Sequence, residues 1–342
     1  AENVDFETLG DNQFGSNYIN HPWETPGTIA HSWGYNGQEN EWKSTSQIFQ
    51  SLISNVSLNG GFTLNIGPRA NGMVPYESVS RLHEVGNWLN TYGEGIYGST
   101  GLDLKNNQFD WGYLTTKKEG QKTVVYAHVF NWPLDHTLRI TGIKSTPEQV
   151  SLMKGSVSTA LKFDQSLSLI HIQLPDAQPD HYVSEVKLTF NGPVELDKNT
   201  VPESTFGGFS LKSTNSLNQG LKIVRYNGKN PTHAILTGDT KIDWEVTIPE
   251  AGIYSLDFSA HNPNKENSVF EVSTTNQRLE GSFASTNKMV VEPNENNYTE
   301  EFVENRIGKF KFDKPGKYII TFNSKQVQPL WFNWMWLEKI KN

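Results

Sequence analysis

The stretch Ser44-Thr45-Ser46-Gln47-Ile48-Phe49-Gln50-Ser51-Leu52-Ile53-Ser54-Asn55-Val56-Ser57-Leu58-Asn59-Gly60-Gly61-Phe62-Thr63-Leu64-Asn65-Ile66-Gly67-Pro68 decides the fold class. Ser44 is of a type that caps helices, because its side-chain oxygen accepts an otherwise free amide of the first turn. Ile48, Phe49, Leu52, Ile53 and Val56 follow at helical spacing, and Asn59-Gly60-Gly61 stops the run. Phe62, Leu64 and Ile66 then alternate with Thr63 and Asn65, the period of a strand. Pro75 opens a second helix carrying Val79, Leu82, Val85 and Leu89 on one face, and Gly93 follows its end. Helix, strand and helix in this order predict the C-terminal portion of a (β/α) TIM-like barrel.

Helical periodicity stops after Gly101. Short apolar runs at 109–114, 123–130, 137–143, 166–174 and 186–190 are separated by turn residues, as in an antiparallel β-sandwich. A linker is expected from Asn191-Gly192-Pro193 to Asn199-Thr200. Beyond it, Trp244–Ile248 and Ile253–Phe258 flank Pro249-Glu250-Ala251-Gly252, and Lys309–Phe312 and Lys317–Phe322 flank Lys314-Pro315-Gly316. The two segments read as similar hairpins with a proline-containing turn and a tyrosine near the start of the second strand. They and the closing Trp331-Phe332-Asn333-Trp334-Met335-Trp336-Leu337-Glu338 resemble jelly-roll carbohydrate-binding modules. The expected organisation is thus α+β and multidomain. The barrel portion spans 1–101, a β-sandwich 102–196 and a jelly-roll unit 201–342, giving two antiparallel β-sandwich domains after the barrel. On the last strand, Trp331, Trp334 and Trp336 are either a sugar platform or buried in the sandwich.

Composition narrows the function. The 342-residue chain has no cysteine, which excludes disulfides and thiolate chemistry. Its net charge is −8 with 29 scattered basic residues, so it lacks the electrostatic footprint of a nucleic-acid partner. No apolar run is long enough for a helical membrane span. The start, Ala1-Glu2-Asn3-Val4, has neither the basic nor the apolar character of a signal peptide. His128, His136 and His171 lack metal-ligand spacing.

The richest chemistry lies between His21 and Asn36. His21, Trp23, Glu24, His31, Trp33 and Tyr35 fall within sixteen residues that glycine and proline keep irregular. Aromatic faces beside fixed polar groups suit a polar, ring-shaped ligand such as a sugar, and they also suit a plug at a barrel end. Trp23-Glu24 followed by Ser32-Trp33-Gly34-Tyr35-Asn36 resembles a signature of the family 29 α-L-fucosidases. The resemblance continues through Gly60-Gly61-Phe62-Thr63-Leu64-Asn65-Ile66-Gly67-Pro68, Asn71-Gly72-Met73-Val74-Pro75, Trp88-Leu89 and Gly93-Glu94-Gly95-Ile96-Tyr97-Gly98.

That resemblance implies retaining hydrolysis of terminal α-L-fucosides, by a nucleophile and an acid/base about 5–5.5 Å apart. The family's nucleophile lies on an earlier strand than any here, so the chain is expected to be the C-terminal part of such an enzyme. Glu7 is the favoured acid/base and Asp11 the alternative. Glu24 is either a further acidic group or a structural partner of a basic side chain. Trp33 matches an aromatic against the sugar's methyl end, with Trp23, Tyr35 and His31 as further substrate contacts. The implied partner is a fucosylated oligosaccharide or glycoconjugate, with neither nucleic acid nor membrane. No cofactor is implied, although jelly-roll modules often carry a structural calcium. The resemblance also implies a periplasmic or extracellular bacterial location. The competing reading is a non-catalytic carbohydrate-binding protein working through residues 201–342.

Overall fold

The computed structural model describes residues 5–155, 157–226, 230–286 and 303–340. Two compact units emerge. The first comprises 1–138, 143–164 and 170–198, and the second 139–142, 165–169 and 199–342.

In the first unit, β1 (Glu7–Thr8), β2 (Trp23–Thr28) and β3 (Gly61–Asn65) form a parallel sheet in the order β1-β2-β3. Helix α1 (Thr45–Ser57) connects β2 to β3, and α2 (Tyr76–Tyr92) follows β3. Ser44 caps α1 as expected: its Oγ accepts from the Gln47 amide while the Gln47 side chain accepts from the Ser44 amide. Pro75 precedes α2, whose C-terminal cap is Gly93. The inner faces of both helices share a core of Ile48, Phe49, Ile53, Val85 and Trp88 with Met153 and Val183. The Trp88 indole donates to the Val183 carbonyl at 2.9 Å, so α2 is docked on the β-rich half of the same unit.

The expected TIM-like barrel portion is therefore not what forms. Three parallel strands and two helices make an open sheet, and no sheet among the described residues curls closed. Closure of such a barrel requires eight tilted, staggered strands. The helix–strand–helix period identifies a parallel α/β arrangement but does not count its strands.

The chain continues with β4 (Thr100–Gly101), β5 (Gly112–Glu119), β6 (Lys122–Val129), β7 (Thr137–Thr141), β8 (Gln149–Lys154), β9 (Val157–Ala160), β10 (Phe163–Ser166), β11 (Leu169–Gln173) and β12 (Ser184–Asn191), of which β7, β10 and β11 are divided between the two units. Of these, β4-β5-β6-β12-β8-β9 form one antiparallel sheet. Beneath it lies a buried polar chain. The Thr115 hydroxyl donates to the Gly95 carbonyl at 2.6 Å and has no second proton, so it accepts from His128 Nε2 at 2.8 Å. His128 Nδ1 is then a bare acceptor, 3.5 Å from Glu185 Oε2. Both side chains are fully buried. Burial pushes the Glu185 carboxyl up to about 8 and the His128 imidazole down to about 3. A neutral acid facing a neutral imidazole is the consistent protonation. Gly95 makes room for it, because a Cβ there would stand 2.4 Å from Glu185 Oε2.

The second unit is a sandwich. One sheet runs β14 (Ile223–Tyr226), β15 (Asn230–Gly238), β22 (Gln326–Lys339), β17 (Gly252–His261) and β20 (Val303–Phe312), with β13 (Phe209–Lys212) also paired to β22. The other runs β16 (Lys241–Ile248), β21 (Gly316–Ser324), β18 (Ser268–Thr274) and β19 (Gln277–Phe283). Trp244, Phe258, Phe270, Phe322 and Phe332 fill the space between them.

The two expected hairpins are corrected. β16 pairs with β21, whereas β17 pairs with β20 and β22, so each proline-containing turn passes from one sheet to the other. A short turn between alternating strands reads the same whether it folds back or crosses over. The likeness of the two turns is nevertheless physical. The Tyr254 hydroxyl donates to the Glu250 carbonyl and that of Tyr318 to the Lys314 carbonyl, each at 3.0 Å.

Candidate functional site

In parallel sheets, ligands are met by the loops at the carboxyl ends of the strands. Here those ends are joined by one polar network. The Asn12 carboxamide oxygen accepts from the Thr28 amide at 3.4 Å and from Lys43 Nζ at 3.1 Å. Lys43 also donates to the Thr28 carbonyl, and burial lowers its ammonium pKa. Asn65 Nδ2 donates to Thr28 Oγ1 at 3.1 Å and to the Trp33 carbonyl at 2.6 Å. The segment after β1, the loop after β2 and the end of β3 are thereby fixed together.

The loop between β2 and α1 has its own anchor. Glu39 accepts from the Ser32 amide at 2.9 Å, the Ser32 hydroxyl at 2.7 Å, the Asn40 amide at 3.1 Å and the Glu41 amide at 3.0 Å. Those bonds, the Ser32 amide first, lower its carboxyl to about 2. Gly67, at φ +50°, meets this loop closely: a Cβ there would approach the Gly34 carbonyl carbon at 3.1 Å. The result is a shallow crevice bordered by Ser32, Gly34, Tyr35, Asn36, Trp42 and Gly67.

Trp33 and Tyr35 are exposed beside this crevice, 38% and 48% accessible, and the Arg69 guanidinium lies 5.6 Å from the Tyr35 ring centroid. Both side chains are accessible to a ligand. Trp23 is not: it is buried, and its indole donates to the Leu58 carbonyl at 3.2 Å. Gly60 lies against it so closely that a Cβ would sit 2.2 Å from the ring. The expected substrate contact is a core residue. His31 is exposed on the loop, with Nδ1 3.5 Å from Glu41 Oε2.

The carboxylates are not gathered together. β1 and β2 pair Glu7 with Trp23 and Thr8 with Glu24, so Glu7 and Glu24 occupy alternate positions on opposite faces of the sheet. Glu7 is exposed and bonds His21 Nε2 at 2.9 Å. Glu24 accepts from the Thr63 hydroxyl at 2.9 Å, a polar rather than a basic partner. Asp11 is exposed in the turn immediately before Asn12, at the carboxyl-end network. The organising side chains Asn12, Thr28, Lys43, Glu39 and Asn65 were not singled out by the sequence reading. Only Asn65 carried a signal, as a member of a quoted motif. Among the described residues no group of three or more His, Asp or Glu is placed to hold a metal ion.

The chain is similar to α-L-fucosidases in two consecutive stretches. Residues 1–94 match the model of the α-L-fucosidase family, and residues 108–191 match that of the α-L-fucosidase C-terminal domain. In both stretches the resemblance is to glycoside hydrolases. Among curated relatives, an α-L-fucosidase of Dictyostelium discoideum is 32% identical over 169 residues, 47% of this chain and 36% of that protein. The tissue α-L-fucosidase of Homo sapiens is 30% identical over 178 residues, 49% of this chain and 37% of that protein. The chain thus spans little more than a third of either relative. An α-L-fucosidase structure from Vibrio sp. strain EJY3 superimposes with a TM-score of 0.65 at 20% identity. It covers 97% of this chain and 57% of that one, which is a likeness of fold.

These matches correct the reading of the chain as only a C-terminal part. The α-L-fucosidase model itself, not just its C-terminal domain, matches residues 1–94. That match falls on the unit that carries β1, β2 and β3.

Proposed function

We propose that this chain serves the hydrolysis, with retention, of terminal α-L-fucose from oligosaccharides or glycoconjugates. The observation that supports this most is the α-L-fucosidase match over residues 1–94, the region whose loops present Trp33 and Tyr35 beside a polar network. An aromatic wall selects a methyl-bearing sugar over its hydroxymethyl counterpart through desolvation, worth about 1–3 kcal/mol per methyl-sized difference. Among the carboxylates, Glu7 remains the preferred acid/base, with Asp11 and Glu24 as alternatives. Glu7 is accessible, and its contact with His21 gives it a partner for proton exchange. The domain division proposed for the family role is a catalytic segment at 1–101, a supporting sandwich at 102–196 and a separate module at 201–342. A secreted setting is proposed with it, and some of the relatives carry the name plasma α-L-fucosidase.

The test is hydrolysis of an aryl α-L-fucoside by the full chain beside Glu7→Ala, Asp11→Asn and Glu24→Gln. A fall of 10²-fold or more in kcat in one variant, rescued by azide with an aryl leaving group, would identify the acid/base, at the scale expected of proton-transfer catalysis. Equal turnover in all three would overturn the assignment to these carboxylates. An inert wild-type chain that also fails to bind fucose would overturn the hydrolase reading.

A further inference from the structure

A second site is built on the outer face of the second unit, remote in sequence from the fucosidase-like region. Two β-bulges aim its side chains. On β22 the register passes from Ala260↔Phe332 to Ser259↔Trp334, which leaves Asn333 as the extra residue. Without that insertion Trp334 and Trp336 would share the inward parity of Phe332. With it, Met335 and Leu337 take the core positions and both tryptophans turn outward. On β20 the register passes from Leu256↔Gly308 to Asp257↔Arg306, which leaves Ile307 as the extra residue. Arg306 and Glu304 are thereby turned onto the same outer face. Bulges re-aim side chains at a local cost in ladder pairing, and here two on separate strands converge on one place.

The residues so aimed form a lattice across three strands. Trp336 pairs with Asp257 and Asp257 with Arg306, while Trp334 pairs with Ser259 and Ser259 with Glu304. Along β22 the two tryptophans are alternate residues, so their Cα atoms lie about 6.6 Å apart. They border a groove of about 560 Å³ with Asp257, Glu304, Asn305 and Arg306. Trp336, Arg306 and Asp257 are held in place. Trp336 Nε1 donates to Glu338 Oε2 at 2.8 Å, and Gly208 backs the ring, a Cβ there falling 3.1 Å from Cζ2. Arg306 grips Asp257 through two bonds, Nε–Oδ1 at 2.9 Å and Nη2–Oδ2 at 3.3 Å.

We propose that this groove is a second, non-catalytic site for neutral oligosaccharides. Two indoles in file offer apolar faces to the C–H surfaces of successive sugar rings. Asp257 and Glu304 offer acceptors, and Arg306 donors, to their hydroxyls. The two acids and one guanidinium leave the groove without the positive charge that a phosphate- or sulfate-bearing chain requires. Neutral glycan is therefore the occupant that the chemistry fits. The inference does not rest on the hydrolase reading, because binding is measured whether or not the chain turns over substrate.

The experiment is tryptophan-fluorescence titration and saturation-transfer NMR of the full chain. The probes are cellohexaose, xylohexaose, mannohexaose and 2′-fucosyllactose, read on wild type, Trp334→Ala, Trp336→Ala and Asp257→Asn. Saturable binding of at least one probe is expected, weakened about tenfold by either tryptophan substitution. A smaller loss is expected in Asp257→Asn, which preserves shape and keeps the test valid if a tryptophan variant misfolds. Binding unchanged in all three folded variants, or no response to any probe at millimolar concentration, would overturn the proposal. So would sedimentation showing that Trp334→Ala dissociates a self-associated wild type, since the groove would then be a contact between copies.

Discussion

Glu185 gives the sharpest stability prediction. Its carboxyl is fully buried, faces the bare Nδ1 of His128, and is raised by burial to about 8. In the unfolded chain the same group titrates near 4.5. A folded-state pKa above the unfolded one means that folding binds a proton. The contribution is fully favourable below about 4.5 and is lost as the pH rises through about 8. At 1.36 kcal/mol per pH unit, holding the acid un-ionised at pH 7 costs the folded state about 3 kcal/mol. Glu185→Gln keeps the shape, offers an N–H to His128, and removes the proton linkage. His128 is common to both chains, so its own effect cancels in the comparison. It is held low by burial, and its contribution is lost as pH falls from 6.5 toward about 3.

Urea unfolding of wild type and Glu185→Gln should therefore diverge with pH. The difference in stability should favour the variant by up to about 3 kcal/mol at pH 7 and shrink toward zero near pH 4.5. Parallel stability curves would refute the reasoning. So would a variant less stable than wild type at pH 8, which would show that Glu185 is ionised in the fold and paired with an imidazolium.

Two further outcomes are expected. Trp23→Ala should destabilise the first unit by about 3–5 kcal/mol, because it empties a buried indole's volume against Gly60 and leaves the Leu58 carbonyl unpaired; thermal unfolding checks this. Glu39→Gln should speed hydrogen exchange at the amides of Ser32, Asn40 and Glu41 at neutral pH. In wild type the protection should persist above about 4.5 and fade as pH drops toward about 2, since the native carboxyl is the more acidic one.

Local structure was legible where one short-range rule governed it. Ser44 and Gln47 form the capping box that the helix start required, and Phe62 and Leu64 lie in a strand that ends at Asn65, one residue before Ile66. The α-L-fucosidase motifs were readable for the same reason, being contiguous. What could not be read was set by distant partners. Nothing in Trp23 or its neighbours shows that Gly60 will close over its ring. Nothing in Pro249-Glu250-Ala251-Gly252 tells a hairpin from a crossover between sheets. The parity of Trp334 and Trp336 depends on a single extra residue, Asn333, so alternation alone assigned them no definite face. Asn12, Lys43 and Asn65 meet only after three strands align, which no spacing in the chain announces.

The place of β22 in its sheet sets an order on biosynthesis. This strand, at 326–339, lies between β15 and β17 and also carries β13. Every earlier strand of that sheet except β14 and β20 pairs with it directly. Until those residues leave the ribosome, β13 has no partner in the sheet, and β15 and β17, once synthesised, each expose an unsatisfied edge. The second unit therefore folds late and all at once, with high sequence separation between its partners. The open edges of the waiting strands are the point at which a chaperone would be needed, and a ribosome stalled shortly before β22 would release a chain prone to associate through them.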